Sequence, residues 1–184
     1  MFRVMIIRHG EKHTNGGPDR GVNIEGVHAK HELTIRGWQR AGALAPFFSP
    51  RGGMPAGSPI STPRSIFASA ATTLSPSLRA QHTVQPLAAL LGLGIDSRFP
   101  EGEEAAIAAA VLQAPGPVLI AWHHSHIVGL ARAIAGDAIG CPQAWPDERF
   151  DVVWILDRSE DHGGGWTFSQ MPQQLFAHDR AEPI

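Results

Sequence analysis

An arginine, a histidine and a glycine follow one another at Arg8-His9-Gly10, directly after the apolar run Val4-Met5-Ile6-Ile7. That position is the carboxyl end of a first strand, the place where open α/β sheets bind ligands. A guanidinium offers a planar fork of donors that matches phosphate oxygens. An imidazole, with a reference pKa of about 6.5, is available at neutral pH as an uncharged nucleophile. Gly10 lets the backbone approach a bound anion closely. A second arginine, in Arg79-Ala80-Gln81-His82-Thr83, falls at the start of a helix-period segment, placed to join Arg8 on one anion. The apolar run from Pro117 to Trp122 then ends on His123-His124-Ser125-His126. Two strand-end histidines and two arginines make a pocket for a tetrahedral oxyanion.

The chain holds ten histidines, one cysteine and no tyrosine. His13, His28 and His31 lie in the segment after Arg8-His9-Gly10 and are placed to rim the pocket, whereas His82, His162 and His178 are expected to be exposed. The density of imidazole at 123–126 raises a metal site as a rival. Neighbouring histidines on a strand point apart, however, and no His-Glu-x-x-His pattern accompanies them. Neither a metal nor an organic cofactor is expected. Cys141 alone supports neither a disulfide framework nor a cysteine-rich zinc module.

These residues need a scaffold. At 184 residues, with 43% hydrophobic and 17% charged content, the chain suits one globular domain over 1–184. Its 15 Lys+Arg against 17 Asp+Glu leave no basic footprint for nucleic acid. The first apolar stretch contains Arg3 and is far shorter than the ~18 residues of a membrane helix, so a cytoplasmic protein without a membrane partner is expected. Apolar runs alternate with helix-period segments, which predicts an α/β domain with a mixed, mostly parallel sheet flanked by helices. Strands are predicted over 2–8, 65–69, 117–122, 150–156 and 166–171, the last two forming a hairpin across Asp161 to Gly165. Helices are predicted from Thr34, with Ile35, Trp38, Ala41, Ala45 and Phe48 on one face, and over 77–91, 103–113 and 127–135. Glycine- and proline-rich loops fill 13–31 and 49–63.

The ordered set of short motifs resembles the histidine phosphatase superfamily. Arg8-His9-Gly10 is similar to that family's signature after its first strand, Arg79-Ala80-x-x-Thr83 to its second arginine motif, and Trp122-x-His124-x-x-Ile127 to its second histidine motif. Leu33-Thr34-x-x-Gly37-x-x-Arg40-Ala41 resembles the segment that opens its first helix. The matching pieces run from Arg3 to Gly129, and the Arg-His-Gly-Glu-Lys start with Gly37-Trp38-Gln39-Arg40-Ala41 looks like a bacterial branch. The resemblance implies a three-layer α/β/α, phosphoglycerate mutase-like fold. It also implies a metal-independent phosphatase acting on a small phosphorylated molecule.

Under that resemblance His9 attacks phosphorus, a phosphohistidine forms, and water hydrolyses it. Arg8, Arg79, Gly10 and a protonated His124 would hold the phosphoryl oxygens. General family spacing selects His123 instead, and the Trp-x-His pattern selects His124. His126 is read as a pocket-edge or structural residue. The segment between Ser69 and Arg79 is longer than usual, so either the chain bulges or Ser77 replaces the serine that precedes that arginine; Arg64 is a weaker substitute for Arg79. Glu101 is the expected general acid, with Glu103, Glu104 and Glu11 as alternatives. Ser125 follows His124, so the His-Asp pairing of acid phosphatases is absent. Alternatives to a phosphatase are a mutase, a protein-phosphohistidine phosphotransfer enzyme and a non-catalytic phosphate-binding domain.

Overall fold

Val4, Met5, Ile6 and Ile7 are all fully buried, as are all five residues from Val118 to Trp122. Such uninterrupted apolar runs suit strands covered on both faces, where each buried side chain contributes about 1.5–3 kcal/mol. In the computed structural model, which describes residues 1–14, 17–159 and 165–184, they form β1 (Phe2–Arg8) and β4 (Val118–Trp122). The two pair in parallel, from Val4 opposite Val118 to Arg8 opposite Trp122. They therefore end at the same level, and His9 and His123 emerge side by side.

Around this pair stand β2 (Ser65–Ala68), β3 (Ile95–Asp96), β5 (Val152–Arg158) and β6 (Trp166–Pro172), in the order β3-β2-β4-β1-β5-β6. The pairs β1–β4, β2–β4 and β2–β3 are parallel, and β1–β5 and β5–β6 are antiparallel, so the sheet is mixed and mostly parallel. The short β3 was not expected from sequence; two residues carry too little periodicity. The turn expected between β5 and β6 lies largely outside the described residues, as does His162.

Alternation along the strands divides the core. Val4, Ile6, Val118, Ile120 and Trp122 pack with α3 (Glu104–Val111) and α4 (His124–Ala135). Met5, Ile7, Leu119 and Ala121 pack with α1 (Ile35–Phe48) and α2 (Arg79–Leu91). The result is the three-layer α/β/α arrangement. Among the described residues no helix is long and apolar enough to cross a membrane.

Two helices depart from the expectation in ways that matter. The inward face of α1 is Gly37, Arg40, Ala41, Leu44, Ala45 and Phe48, while Ile35 is exposed and Trp38 half-buried. The helix is rotated so that Arg40 reaches buried carboxylates, a pairing invisible to apolar periodicity. Helix α4 begins at His124, three residues before the expected Ile127, with His123 extended at φ −87°, ψ 134° as its N-cap. The two histidines thus sit at a strand-to-helix corner, where the alternation of a strand no longer governs their directions.

Candidate active site

His9 continues the sheet by one bond, its amide donating to the Trp122 carbonyl at 3.1 Å, and it is 1% exposed. Its Nδ1 lies 2.7 Å from the Gly10 carbonyl, which can only accept, so Nδ1 carries the proton and Nε2 keeps its lone pair. Burial, first, and the positive charge of Arg8, second, push its pKa well below the usual histidine value, with His123 and Arg79 adding to this and the Gly10 carbonyl opposing it. His9 is therefore a neutral imidazole with a free nucleophilic nitrogen. The Gly10 amide donates to Thr83 Oγ1 at 2.7 Å, and that hydroxyl donates to the Arg79 carbonyl at 2.6 Å. Thr83 thus ties the first turn of α2 to the loop that carries His9. A Cβ on Gly10 would stand 2.9 Å from the Gly37 carbonyl oxygen, so only glycine fits without displacement.

Arg8 is fully buried and held from one side by the 146–150 segment. Its Nη1 donates to the carbonyls of Asp147 and, at 3.2 Å, Arg149; its Nη2 donates to Asp147 Oδ1 at 2.9 Å. The Phe150 ring stacks on the guanidinium at 3.8 Å. Burial lowers the Arg8 pKa to about 10 against the opposing charge of Asp147, which leaves a full cation at neutral pH. The Arg8 Nε is buried without a hydrogen-bond partner among the described residues. Arg79 donates from Nε to the Glu32 carbonyl at 3.1 Å and from Nη2 to the Lys30 carbonyl at 2.9 Å. Ser77 Oγ lies 3.4 Å from Arg79 Nη1, whereas Ser69 Oγ is buried with no partner among the described residues. Arg64 sits before β2, at the opposite end of that strand from Ser69, and is exposed.

The ring of His123 meets that of His9 edge to face, with centroids 5.4 Å apart. His124 turns instead toward Asp147, its Nε2 3.3 Å from Oδ1. The Trp-x-His pattern favoured His124; in space His123 is the neighbour of His9, because the chain leaves the sheet at 123. Nor is His124 poised as a cation: burial, then Arg8, with Lys12 assisting and Asp147 opposing, lower its pKa to about 4. Burial likewise lowers that of His123, with the charge of Glu101 opposing. Neither Leu78 before α2 nor His123 before α4 caps its helix with a side chain. Both helices direct amino-terminal dipoles toward this corner, which favours an anion there.

The four candidate acids separate clearly. Glu11 is bonded by Arg36 at 3.2 Å and by Arg40 at 2.8 Å. Glu104 accepts from the Gly102 amide and Trp122 Nε1 and lies 3.0 Å from His126 Nδ1, which makes His126 a structural residue. Glu103 is exposed at the start of α3. Glu101 Oε2 lies 3.3 Å from His123 Nδ1, next to the pair of facing histidines.

Beside these groups opens a cavity of about 430 Å³, lined by Lys12, His13, Lys30, His31, Arg79 and Asp147. Of the expected rim histidines, His13 and His31 line it; His28 does not. His82 is half-buried rather than exposed, stacked on Trp38 and 2.6 Å from Glu32 Oε2, while His178 is exposed. Asp147 and Phe150 were not singled out from sequence. No motif surrounds them, and their proximity to Arg8 is purely tertiary. Among the described residues no group of three His, Cys, Asp or Glu side chains is arranged to hold a metal ion.

The architecture matches solved phosphatase structures. A mycobacterial glucosyl-3-phosphoglycerate phosphatase aligns over 92% of this chain and 98% of its own, at 18% identity and TM-score 0.52. A phosphoserine phosphatase from Entamoeba histolytica aligns over 96% and 100%, at 14% identity and TM-score 0.51. A protein described as mycobacterial hydrolase 1 aligns over 91% and 96%, at 16% identity and TM-score 0.51. No family model matches the sequence, and no curated protein matches it. The fold is the phosphoglycerate mutase-like α/β fold that the motifs implied.

Proposed function

We propose that this protein is a phosphatase that hydrolyses small phosphomonoesters through a phosphohistidine on His9, without a metal. The observation that carries the reading is a buried, neutral His9 with its proton on Nδ1, surrounded by Arg8, Arg79 and His123 at the level where β1 and β4 end. Two of the proteins that share the fold are phosphatases of small molecules, and one of these structures holds vanadate, a mimic of a phosphoryl group in transfer.

In the first half-reaction the phosphoryl group lies against Arg8 and Arg79, and His9 Nε2 attacks phosphorus in line with the leaving oxygen. The N–P bond forms as the O–P bond breaks. Glu101 serves as the general acid that protonates the departing oxygen. In the second half-reaction the Glu101 carboxylate takes a proton from water, which attacks phosphorus and releases inorganic phosphate and free His9. The transferring oxygens carry charge that Arg8 and Arg79 neutralise. His123 donates to a phosphoryl oxygen, and a bound dianion raises its pKa to favour that role.

The test is turnover of 4-nitrophenyl phosphate in the presence of a chelator, with trapping of an acid-labile phosphoenzyme. His9→Ala is expected to lose about 10³-fold or more in kcat together with the trapped species. Full activity of that variant would falsify the assignment. In kcat/KM, which reports the first half-reaction, Glu101→Gln is expected to slow alkyl phosphates far more than the nitrophenyl ester, whose leaving group needs no proton.

A further inference from the structure

In the phosphatase reading Arg8, Arg79, His9 and His123 serve the phosphoryl group, and the cavity beside them holds further cations. Lys12 and Lys30 line it, with His13 and His31 as additional donors, and Asp147 is the one acid among the described lining residues. That carboxylate is most of the way into solvent, 64% exposed, and it is nevertheless anchored. Its Oδ1 lies 2.9 Å from Arg8 Nη2, 3.3 Å from Lys12 Nζ and 3.3 Å from His124 Nε2. An exposed aspartate gathers three basic groups on one oxygen only where the surrounding field already favours an anion. The cations overcome the partial burial that pushes the other way and hold the Asp147 carboxyl below the usual range. The protein's own side chain thus reports a carboxylate-binding position adjoining the phosphoryl site.

The arrangement also dictates what happens when a phosphate arrives. The Nη1 edge of Arg8 is committed to backbone carbonyls and Asp147 sits between Nη1 and Nη2, so a phosphoryl group uses Nε, which has no partner among the described residues, and the second hydrogen of Nη2. A dianion there stands beside the Asp147 carboxylate and repels it, which frees Lys12. A substrate with a single phosphate would leave Lys12 and Lys30 facing an anion-favouring cavity with nothing to pair.

Building on the phosphatase reading, we propose that the substrate carries a second anionic group, a carboxylate or a second phosphate, bound by Lys12 and Lys30, and that Asp147 holds its place until it arrives. Asp147 is then the specificity element. It is a modest barrier to any phosphate, and one that a doubly anionic substrate overcomes through the two lysines. The cavity is large enough for a short linker between the two anions, and the described residues that line it all carry polar or charged side chains.

The experiment compares kcat/KM for propyl phosphate, its terminal-carboxylate analogue and trimethylene bisphosphate, with 4-nitrophenyl phosphate as the measure of His9 chemistry. The doubly anionic esters are expected to exceed propyl phosphate by about tenfold or more. The double variant Lys12→Met/Lys30→Met is expected to bring that ratio near unity while nitrophenyl phosphate turnover stays within about twofold. Asp147→Asn is expected to tighten inhibition by inorganic phosphate several-fold. Equal rates for charged and neutral esters, or a preference that survives the double variant, overturns the proposal. So does weaker phosphate inhibition in Asp147→Asn, which would make the residue a support for Arg8. Should nitrophenyl phosphate prove inert, the phosphatase reading fails on its own. Calorimetric titration of trimethylene bisphosphate into wild type and the double variant then still decides the second site.

Discussion

A histidine acts as a nucleophile only while neutral, and His9 is built to remain so. Its pKa is driven down first by burial and then by Arg8, so the reactive form persists into acidic solution. The acid limb of kcat/KM, corrected for ionisation of the substrate, is expected well below the ordinary histidine range. A limb centred at about 6.5 would mean an ordinary, solvated imidazole. The same shift governs stability. The folded pKa values of His9, His123 and His124 all lie below the unfolded value, so the unfolded chain binds more protons as pH falls. Their stabilising contribution is complete above about pH 6.5 and declines as pH drops below it. Melting curves from pH 7.5 to 5 should therefore show a falling Tm, and His9→Asn should flatten the slope. A Tm that rises on acidification contradicts the burial of these rings. At this scale the sequence was most informative where a motif is contiguous, as at Arg8-His9-Gly10. It was ambiguous at 123–124, because the choice depends on the residue at which the strand ends. It was silent on Asp147, whose partner Arg8 lies 139 residues away.

Elements position these residues through a few close backbone approaches. Thr34 caps α1, its Oγ1 accepting from the Gly37 amide at 3.2 Å, and its own amide donates to the Glu11 carbonyl at 2.9 Å. The first turn of α1 therefore rests directly on the segment that carries His9 and Gly10. A Cβ on Gly37 would stand 2.5 Å from the Glu11 carbonyl oxygen and 3.0 Å from its amide nitrogen, both backbone atoms that cannot rotate away. Gly37→Ala is expected to push the loop outward and to cost about 1–3 kcal/mol in stability, measured by urea unfolding. It should lower kcat on 4-nitrophenyl phosphate as well, because His9 moves with the loop. Gly42→Ala, in the same helix with no heavy atom within 4 Å of its Cβ, is the control and should be neutral or slightly stabilising. Loss of neither stability nor activity in Gly37→Ala would show that this approach is not what sets the loop. Element type was legible from apolar periodicity and from the glycine- and proline-rich segments between the runs. The rotation of α1 was not, since Arg40 turns inward for charge partners that come from distant parts of the chain.

Across the whole molecule, the C-terminal segment fastens both sides of the site. Arg40 is 1% exposed and donates to Glu11, to Gln173 at 2.8 Å and to Asp179 at 2.8 Å. Arg149, whose carbonyl receives Arg8 Nη1, is bonded to Asp151 Oδ1 at 2.7 Å and to the Glu182 carbonyl at 2.7 Å. Residues 173–182 thus brace Glu11 behind the nucleophile loop and the 146–150 segment behind Arg8. Burial raises the Asp179 carboxyl pKa, but the hydrogen bond and charge of Arg40, with the Phe176 and Leu175 amides, outweigh it and hold it below the usual range. Asp179 is then stabilising above the unfolded carboxyl value of about 3.9, and that contribution is lost as pH falls through its lower folded value. Removing one member of a buried pair strands the other, at a cost of about 3 kcal/mol, reduced here only insofar as Glu11 still pairs Arg40. Asp179→Ala is accordingly expected to unfold at clearly lower urea concentration, and its KM for 4-nitrophenyl phosphate should rise because both braces loosen. The double variant Arg40→Met/Asp179→Leu separates the contributions, since it strands no charge in that pair. It should regain part of the stability yet keep the raised KM, Glu11 then being held by Arg36 alone. A double variant with wild-type KM would show that the C-terminal brace supports the fold without setting the geometry of the site.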